Sequence, residues 1–253
     1  MNFDEFKVSK EAEIRDLIHK DFLKLGLKSG EKIPSENELA DQFNIKRIDI
    51  RAALVQMEKM GQLNSKQGVG RFMKDSLPAI ELEIFDKKSF SEKMALQGIP
   101  YETRVIFADY ADEITQKKYQ VALNCSEDTK IFVIARVRVV YGLPSAIHIS
   151  YIRTDLFPDI SEKAQTIQSV FKYFKSKGHV NLKAEEMVLH TNFPTISEQA
   201  YLECNELVPL IMYDTETVDQ DTGITLEKIK IKYRSDLFKH KISLNKEKSF
   251  VCC

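Results

Sequence analysis

Hydrophobic residues in the first sixty positions recur at the spacing of α-helices. An amphipathic helix is predicted over about residues 10–26, with an apolar stripe made of Ile14, Leu17, Ile18, Phe22 and Leu25. A second helix is predicted after Ser35, whose hydroxyl can accept a hydrogen bond from a backbone amide while Glu38 reaches back to the amide of Ser35. This helix ends near Asn44, because asparagine tolerates the left-handed conformation that closes many helices.

A third helix and a short hairpin complete this first segment. The helix is predicted over about residues 47–60, and its inner stripe consists of Ile50, Ala53, Leu54 and Met57. Two short strands, residues 62–65 and 70–74, flank a tight turn that Gly68 permits. A helix, a helix-turn-helix and a β-hairpin in this order predict a winged helix-turn-helix domain.

The later part of the chain alternates β-branched and polar residues and includes shorter helical patterns. Six strands are predicted, over residues 102–110, 129–141, 145–152, 185–193, 210–219 and 224–233. Three helices are predicted, over residues 113–123, 166–178 and 195–204. Turns are predicted at Gly142-Leu143-Pro144 and at Asp221-Thr222-Gly223. This mixture predicts an α+β domain in which helices pack on a largely antiparallel sheet.

The two patterns meet at a segment that carries Pro78 and charges of both signs. We therefore divide the chain into a winged helix-turn-helix domain of residues 1–75, a linker of residues 76–88 and a second domain of residues 89–253. The linker includes one short strand within residues 79–85. A chain of 253 residues fits two domains, since a domain has about 100–200 residues.

Charge is unevenly distributed between these segments. The whole chain has 37 basic and 38 acidic residues, a net charge of −1 that by itself argues against binding to nucleic acid. Residues 46–74, however, hold seven basic and two acidic residues, a net charge of +5, and the rest of the chain therefore carries −6. The excess lies on the third helix and the hairpin, the elements that a winged helix-turn-helix places against DNA. Arg47 and Arg51, four residues apart, share one helical face and can contact guanine or phosphate.

Other classes of protein are disfavoured. No apolar run approaches the ~20 residues of a membrane-spanning helix, and the first residues do not form a signal peptide, so we expect a cytoplasmic protein that makes no contact with membranes. Cys125, Cys204, Cys252 and Cys253 form no metal-binding spacing, and we expect no metal, no cofactor and no role for these thiols.

The first segment resembles the winged helix-turn-helix of the GntR family over about residues 10–74. The resemblance rests on the runs Gly30-Glu31-Lys32-Ile33-Pro34-Ser35-Glu36-Asn37-Glu38-Leu39-Ala40, Gly61-Gln62-Leu63 and Gln67-Gly68-Val69-Gly70-Arg71-Phe72, with Arg47 and Arg51 between them. It implies that the DNA contacts are made by Ser35, Asn37, Lys46, Arg47, Arg51 and Gly68. Ile48 and Arg71 belong to the same helix and hairpin and complete the candidate set.

Three positions depart from the pattern of the family. Asn37 stands where Arg or Lys is frequent, and Lys46 where a Ser or Thr cap is frequent. Ile48 and Asp49 replace two small hydroxyl residues. Ile48 offers an apolar contact, for example to a thymine methyl, and Asp49 would repel phosphate. The operator is therefore expected to differ from the one usual in the family.

Arg136-Val137-Arg138 is the strongest chemical feature of the second domain. Because successive side chains of a strand point to opposite faces, Arg136 and Arg138 lie on the same face. Two adjacent guanidinium groups suit a phosphate or carboxylate, although the motif alone fits a solvated sheet face or a ladder of salt bridges better. No nucleophile–base pair, phosphate loop or metal-ligand spacing is present, and no catalytic residue is assigned.

Residues 85–245 resemble the UTRA effector domain of the HutC subfamily. The matching motifs are Arg136-x-Arg138, Tyr141-Gly142-Leu143-Pro144, Ser150-Tyr151-Ile152, Phe157-Pro158, Ser169-Val170-Phe171, and Glu227 with Tyr233-Arg234-x-Asp236. The resemblance implies a chorismate lyase-like fold that binds a small molecule. It implies pocket-lining roles for Ser89 and Phe90, an anion site at Arg136, Arg138 and Ser169, and hydrogen bonds to the body of the ligand from Glu227 and Tyr233.

Two candidate effector residues depart from this pattern. Phe171 stands where Tyr is common and lacks its hydroxyl. His148 stands where Glu is common, which removes an acceptor for sugar hydroxyls and introduces a group that can be cationic. The effector is therefore expected to differ from the usual one.

These observations predict a homodimeric, ligand-responsive bacterial transcriptional regulator of the repressor type. It would bind a near-palindromic double-stranded DNA operator and an anionic small-molecule effector such as a sugar phosphate. Two alternatives remain open at this point. One is an enzyme on the same scaffold that uses His148 or Glu227, and the other is a degenerate regulator that acts through protein partners.

Overall fold

A computed structural model describes residues 9–74, 80–83 and 88–241, which form two compact units. The first unit comprises residues 9–74 with 193–199 and 204–208, and the second comprises the other described residues. The helices are α1 (Lys10–Leu25), α2 (Glu36–Phe43), α3 (Arg47–Lys59), α4 (Phe90–Leu96), α5 (Glu113–Ala122), α6 (Ile160–Lys163), α7 (Val170–Ser176) and α8 (Ile196–Leu202), with a 3₁₀ turn at Ala164–Thr166. The strands are β1 (Leu63–Lys66), β2 (Gly70–Met73), β3 (Ile80–Glu83), β4 (Tyr101–Tyr110), β5 (Ile131–Val140), β6 (Leu143–Arg153), β7 (Leu182–Asn192), β8 (Leu210–Asp219), β9 (Ile224–Arg234) and β10 (Phe238–Lys241).

Caps and turns in the first unit fix the ends of its helices. The capping box of Ser35 and Glu38 at the start of α2 is confirmed, and Asn44 adopts the left-handed conformation that ends this helix. Helix α1 ends earlier than predicted: Gly26 adopts φ 64°, and its amide bonds to the last turn, so the break precedes residues 27–30. These local signals set the spacing between α2 and α3.

The hydrophobic stripes of the three helices form the core of the first unit. Ile18 of α1 and Leu39 of α2 are fully buried against Ile50 and Leu54 of α3. Strands β1 and β2 pair antiparallel as the predicted hairpin. Residues 30–33 add to the outer edge of β2 through backbone hydrogen bonds, so that the wing has three extended segments.

One six-stranded sheet organises the second unit. Its strand order is β4-β5-β6-β9-β8-β7, and every neighbouring pair is antiparallel. Helix α5 packs on one face through Tyr119, while Phe174 of α7 packs with Phe132 and Ile134 of β5 on the other. Strand β5 is consequently buried along its whole length and on both faces. The predicted largely antiparallel α+β fold is confirmed.

Several short elements were not predicted. They are α4, α6 and β10, and β10 pairs in parallel with β3. The predicted turn at residues 142–144 is displaced, because Tyr141 and Gly142 both have positive φ and form a two-residue hairpin turn. Leu143 and Pro144 already belong to β6.

The sequence predicts neither a membrane-spanning helix nor a metal site. No helix among the described residues is long and apolar enough to cross a membrane, and no cluster of possible ligands among them could hold a metal ion. Cys252 and Cys253 lie outside the described residues.

Candidate functional site

The recognition surface, formed by the start of α2, the exposed face of α3 and the tip of the wing, presents most of the residues predicted to bind DNA. Lys46, Arg47, Ile48 and Arg51 are exposed, and the Arg47 and Arg51 side chains keep 64% and 67% of their accessible surface. Lys46 precedes α3 without making a side-chain cap. The Lys46 side chain therefore makes no hydrogen bond to the first turn of the helix, and its charge faces solvent.

The tip of the wing and the start of α2 flank this helix face. Gly68 adopts φ 72° and is exposed, as a close approach of the backbone to DNA requires. A shallow cleft is lined by Pro34, Ser35, Glu36, Asn37, Arg47, Gly70 and Arg71. Four of the predicted contacts, namely Ser35, Asn37, Arg47 and Arg71, therefore meet in one place.

Glu36, in the first turn of α2, holds three arginines of the recognition surface. Its carboxylate accepts hydrogen bonds from Arg47 Nε at 3.0 Å and from an Arg71 Nη at 2.8 Å, and Arg51 Nε lies 3.9 Å away. Partial burial opposes ionisation, but the bonds from Arg71 and Arg47 outweigh it and hold the pKa of Glu36 below its usual value. Glu36 is therefore an internal counter-ion of these arginines.

Arg71 differs from the other arginines because it is largely covered. Its Nε donates to Glu58 at 2.6 Å while its Nη1 bonds to Glu36, and its side chain is only 17% exposed. Burial opposes its positive charge, but the two carboxylates raise the pKa of Arg71 overall. This placement favours a role in fixing the wing to α2 and α3 over the direct DNA contact that the sequence predicts.

Asp49, expected to repel phosphate, forms an ion pair with Lys10. The carboxylate of Asp49 therefore has a compensating charge within the same unit. Ile48, one residue before it, is 73% exposed and available for an apolar contact.

A deep pocket in the second unit, called here the sheet pocket, is lined by all nine residues predicted to bind the effector. The empty space within it, counted out into the solvent at its mouth, is about 780 Å³. The nine are Ser89, Phe90, Arg136, Arg138, His148, Ser169, Phe171, Glu227 and Tyr233. Residues that are distant in sequence therefore meet in one cavity.

The strand period explains how the sheet supplies the floor of this pocket. Arg136 of β5 pairs with His148 of β6, which pairs with Ile231 of β9, which pairs with Tyr213 of β8. Directly paired residues lie on the same face of a sheet. This row, the Arg136 row, crosses four strands beneath the pocket.

Arg136 and Arg138 are buried side by side, with exposures of 2% and 3%. The solvated sheet face that remained possible from the sequence is therefore excluded. An Arg136 Nη donates to Ser150 Oγ at 2.9 Å, and Arg138 Nη1 donates to Thr103 and to the carbonyl of Gln168 at 2.8 Å. The Nε atoms of both arginines are buried and have no partner among the described residues.

Both arginines are charged near neutral pH, although the burial of their charges costs free energy. Burial lowers the pKa of Arg136 to about 10, against the favourable charge of Glu227. Burial and the neighbouring Arg136 lower the pKa of Arg138 to about 9. Both groups remain cations near neutral pH, so two buried positive charges face one cavity. The ring of Phe90, 5.2 Å from the Arg138 guanidinium carbon, adds a cation–π contact.

His148 is neutral, which corrects the expectation that it can carry a positive charge. Burial, followed by the charges of Arg138, Arg136 and Lys93, lowers the pKa of His148 well below its usual value. Its Nε2 is buried and unpartnered within the described part of the chain. At neutral pH the imidazole therefore offers a hydrogen-bonding atom without charge.

Glu227, on β9, is an acidic residue that lines the same pocket. It is fully buried and accepts a hydrogen bond from Thr217 Oγ1 at 2.9 Å. Burial raises the pKa of Glu227, although bonds from Ser150 and Thr217 and the charge of Arg136 oppose the rise. Its second oxygen, Oε2, has no partner among the described residues. A ligand hydroxyl or amine could satisfy this atom.

Ser89, Ser169 and Phe171 complete the predicted set. Ser89 and Ser169 cap α4 and α7, so their hydroxyls lie at turns that border the pocket. Phe171 lines the pocket with an apolar ring where a tyrosine would bring a hydroxyl. This wall therefore favours an apolar part of a ligand.

The structure adds lining residues that the sequence did not single out. They are Lys88, Ser91, Lys93, Val170, Ala184, Met187, Thr215, Glu216, Thr217, Ile229 and Ile231. Thr215 and Thr217 alternate along β8 and Ile229 and Ile231 along β9, so strand period could have indicated them. Lys88 and Lys93 lie on or beside the unpredicted helix α4 and carried no such signal.

Comparisons with known proteins agree with both halves of the chain. Residues 10–73 match the family model described as bacterial regulatory proteins, gntR family, and residues 97–239 match the UTRA domain. The HTH-type transcriptional repressor NagR of Bacillus subtilis is 28% identical over 221 residues, covering 85% of this chain and 88% of that protein. The mannosyl-D-glycerate transport/metabolism system repressor MngR of Escherichia coli is 23% identical over 201 residues, covering 79% and 81%.

Solved structures show the same fold. PhnF from Mycobacterium smegmatis aligns with a TM-score of 0.59 at 20% identity, covering 94% of this chain and all of that one. The fold and the family models together define a two-domain bacterial regulator. The chain belongs to the GntR family and, with its UTRA domain, to the HutC subfamily. It is a transcriptional repressor of this type with an effector-binding UTRA domain.

Neutralising Glu36 should strengthen general DNA binding. Glu36→Gln releases Arg47 and Arg51 from their counter-ion, and we expect affinity for a duplex of random sequence to rise by about three- to tenfold at ~50 mM salt. The gain should shrink as salt increases. Fluorescence anisotropy across a salt series measures both effects.

Asp41→Asn is the matched control, since it removes one exposed carboxylate from the same helix without touching the arginines. Equal gains in Glu36→Gln and Asp41→Asn would show that Glu36 has no specific role.

The neutral state of His148 should appear in the pH dependence of stability. The folded protein binds a proton at His148 less readily than the unfolded chain. The free energy of unfolding should therefore be highest above about pH 6.5 and fall as the pH drops below it. His148→Gln should flatten the slope between about pH 6.5 and 5 by up to ~1.4 kcal/mol per pH unit.

Urea unfolding followed by circular dichroism measures this slope. His19→Gln serves as the control because His19 is exposed. A slope unchanged in His148→Gln would mean that folding does not lower the pKa of His148.

Proposed function

We propose that this repressor binds a near-palindromic operator as a homodimer and is controlled by an anionic metabolite such as a sugar phosphate. The observation that carries the proposal is the pair of buried arginines, Arg136 and Arg138, which line the sheet pocket and whose Nε atoms have no partner among the described residues. The proposed setting is the cytoplasm, where operator DNA is accessible.

The charge of the pocket supports an anion as effector. Two guanidinium groups are buried, His148 is neutral, and burial raises the pKa of Glu227. A buried cation without full compensation is costly, and an anion that bonds to it recovers much of that cost. Guanidinium groups bind phosphate and carboxylate through paired hydrogen bonds. The Ser169 hydroxyl can donate a further hydrogen bond to the same anion.

The body of the pocket supports a polar ligand of modest size. Glu227, Thr217 and Tyr233 surround it with hydrogen-bonding groups. The name of one relative refers to mannosyl-D-glycerate, a sugar linked to an organic acid. This agrees with a carbohydrate-derived anion, although His148 and Phe171 favour a chemistry different from that of other family members.

The recognition surface supports binding to an operator. Arg47 and Arg51 lie exposed on one face of α3 and can enter the major groove, while the wing follows the backbone. Two such helices in a dimer would read half-sites about 34 Å apart, one turn of DNA. We propose a homodimer because a near-palindromic operator has two-fold symmetry, which a dimer matches.

Effector and operator must be coupled through two arrangements of the protein. The effector lowers operator affinity only if it binds the arrangement that cannot hold DNA more tightly than the one that can. By linkage, operator DNA then weakens effector binding by the same factor.

Removing either exposed arginine of α3 should weaken operator binding. We expect Arg47→Ala and Arg51→Ala each to lose about ten- to a hundredfold in affinity, because a bidentate base contact contributes ~1–3 kcal/mol. Mobility shifts with DNA fragments selected from a random pool measure the loss. Lys24→Ala, on the exposed side of α1, should have little effect.

If the unaltered protein shows neither specific nor salt-sensitive binding at moderate ionic strength, DNA binding by this module is refuted. A regulator that acts through protein partners would then be the better interpretation.

Removing the charge of Arg136 should abolish the response to effector. A ligand with micromolar affinity at about 1 mM should stabilise the protein by ~4 kcal/mol, and a thermal-shift screen of sugar phosphates, phosphonates and small organic acids would detect it. Arg136→Gln should lose this stabilisation while still binding DNA. Arg104→Gln, at an exposed arginine of β4, should keep it.

Unchanged effector affinity in Arg136→Gln would contradict the assignment of the anion site.

A further inference from the structure

The exposed side of α3 carries two stripes of different chemistry. Arg47 and Arg51 form one stripe, and Ile48 and Ala52 form the other; the members of each stripe are four residues apart, and all four residues are exposed. The opposite side of the helix, with Ile50 in its first turn, is buried in the core of the first unit. The arginine stripe accounts for polar contacts to DNA and leaves the apolar stripe without an assigned partner.

Ile48 is the larger member of the apolar stripe. It is 73% exposed, more than any other large apolar residue that the structure describes within residues 9–74. A single exposed apolar residue is ordinary on a protein surface, so exposure alone assigns no role. Ile48, however, is the second residue of α3, and the N-terminal residues of a recognition helix are those that reach the base edges. Position and exposure together indicate a contact with a base.

The charged groups beside Ile48 have partners within the same unit. Asp49 is paired with Lys10 at 2.5 Å, and the Asp49 side chain is only 26% exposed. On the other side, Arg47 donates to Glu36 at 3.0 Å. Both carboxylates are therefore paired, and a base edge can approach Ile48 without facing an uncompensated negative charge.

The start of α3 holds Ile48 in a defined position. The amides of Asp49 and Ile50 both donate to the carbonyl of Lys46, at 2.9 and 3.2 Å, and the Ile50 side chain is fully buried. Isoleucine is branched at Cβ and has one strongly preferred rotamer in a helix. The methyl groups of Ile48 therefore have a nearly fixed direction, and little side-chain freedom is lost when they bind.

The chemistry of isoleucine selects one partner among the base edges. The Ile48 side chain has no hydrogen-bond donor or acceptor, so it cannot read the polar pattern of a base. The C5 methyl group of thymine is an apolar group that lies in the major groove, and adenine, guanine and cytosine offer no such group. A contact between this methyl group and Ile48 removes apolar surface of both from water.

We propose that Ile48 reads the C5 methyl group of a thymine in each half-site of the operator, beside the groups contacted by Arg47 and Arg51. The inference rests on the proposed binding of an operator by α3, and it adds one named base and an apolar mode of readout. It makes Ile48 a determinant of operator specificity that acts without charge.

Deoxyuridine isolates the methyl group. It pairs with adenine as thymine does and lacks only the C5 methyl, so it removes the proposed contact and keeps the hydrogen bonds of the base pair. The duplex is the best-bound fragment that the full chain selects from a random pool. Its thymines are replaced by deoxyuridine, one symmetry-related pair at a time, and the affinity of the full chain is measured by fluorescence anisotropy.

One such pair of replacements should weaken binding clearly. We expect a loss of about four- to twentyfold, because the burial of one methyl group per half-site contributes a factor of roughly four. The ratio of the affinities for the thymine and deoxyuridine duplexes should not depend on salt, because no phosphate contact is changed.

Variants at position 48 locate the contact. Ile48→Ser removes the apolar group, and it should bind the thymine and deoxyuridine duplexes with affinities that differ by less than about twofold. Ile48→Val keeps a branched apolar side chain and should keep the preference for thymine. Val69→Ala is the matched control, because Val69 is a 55% exposed apolar residue in the turn of the wing, and its loss should leave the preference unchanged. Circular dichroism checks that each variant retains the fold.

The outcomes separate this inference from the function on which it rests. If the selected half-sites contain no thymine, if deoxyuridine weakens binding at no position, or if the loss persists in Ile48→Ser, then Ile48 does not read a thymine methyl, while operator binding through Arg47 and Arg51 stands. If the unaltered protein selects no specific duplex from the pool, operator binding fails and this inference fails with it.

Discussion

Two buried arginines on neighbouring inward positions of β5 are the constraint around which the second unit is built. Their burial requires the face of β5 that carries them to be covered, and α7 packs on this face at Phe132 and Ile134. Their charge is only partly answered by Ser150, Thr103 and Glu227. Because desolvated cations are costly, an anion bound in the pocket would offset part of this cost, as the proposed function requires. The pocket is therefore prepared for its ligand before the ligand arrives.

The first unit applies related electrostatics at a solvent-exposed surface. Glu36 neutralises part of the charge on Arg47, Arg51 and Arg71, and these contacts order the side chains of the recognition surface. The chain as a whole has a net charge of −1. Arg71, with Glu58 as a second partner, fixes the wing against the helices. The Arg47 and Arg51 side chains are mostly exposed, so their pairs with Glu36 are weak, and a phosphate could replace the carboxylate there. The buried arginines of the pocket have no such freedom.

Local sequence patterns predicted most of the helices and strands. The burial and protonation of the site residues depend instead on contacts between distant parts of the chain. Caps, helical stripes and strand alternation located α2, α3, the wing and the long strands, and alternation placed Arg136 and Arg138 on one face. Whether that face was solvated depended on packing by helices distant in the chain, which no local pattern contains. The same limit applies to the neutral His148, whose pKa is set by residues on other elements, and to Arg71, whose partners lie 13 and 35 residues away. Strand β10 has four residues and pairs with the distant β3, so it carried no periodicity long enough to detect.

A crystal structure of the full chain grown with inorganic phosphate tests the central claim most directly. The account predicts a phosphate in the sheet pocket, within hydrogen-bonding distance of the guanidinium groups of Arg136 and Arg138 and of the Ser169 hydroxyl. Arg136 and Arg138 bonded to carboxylates of the chain itself, with phosphate bound only elsewhere, would contradict it.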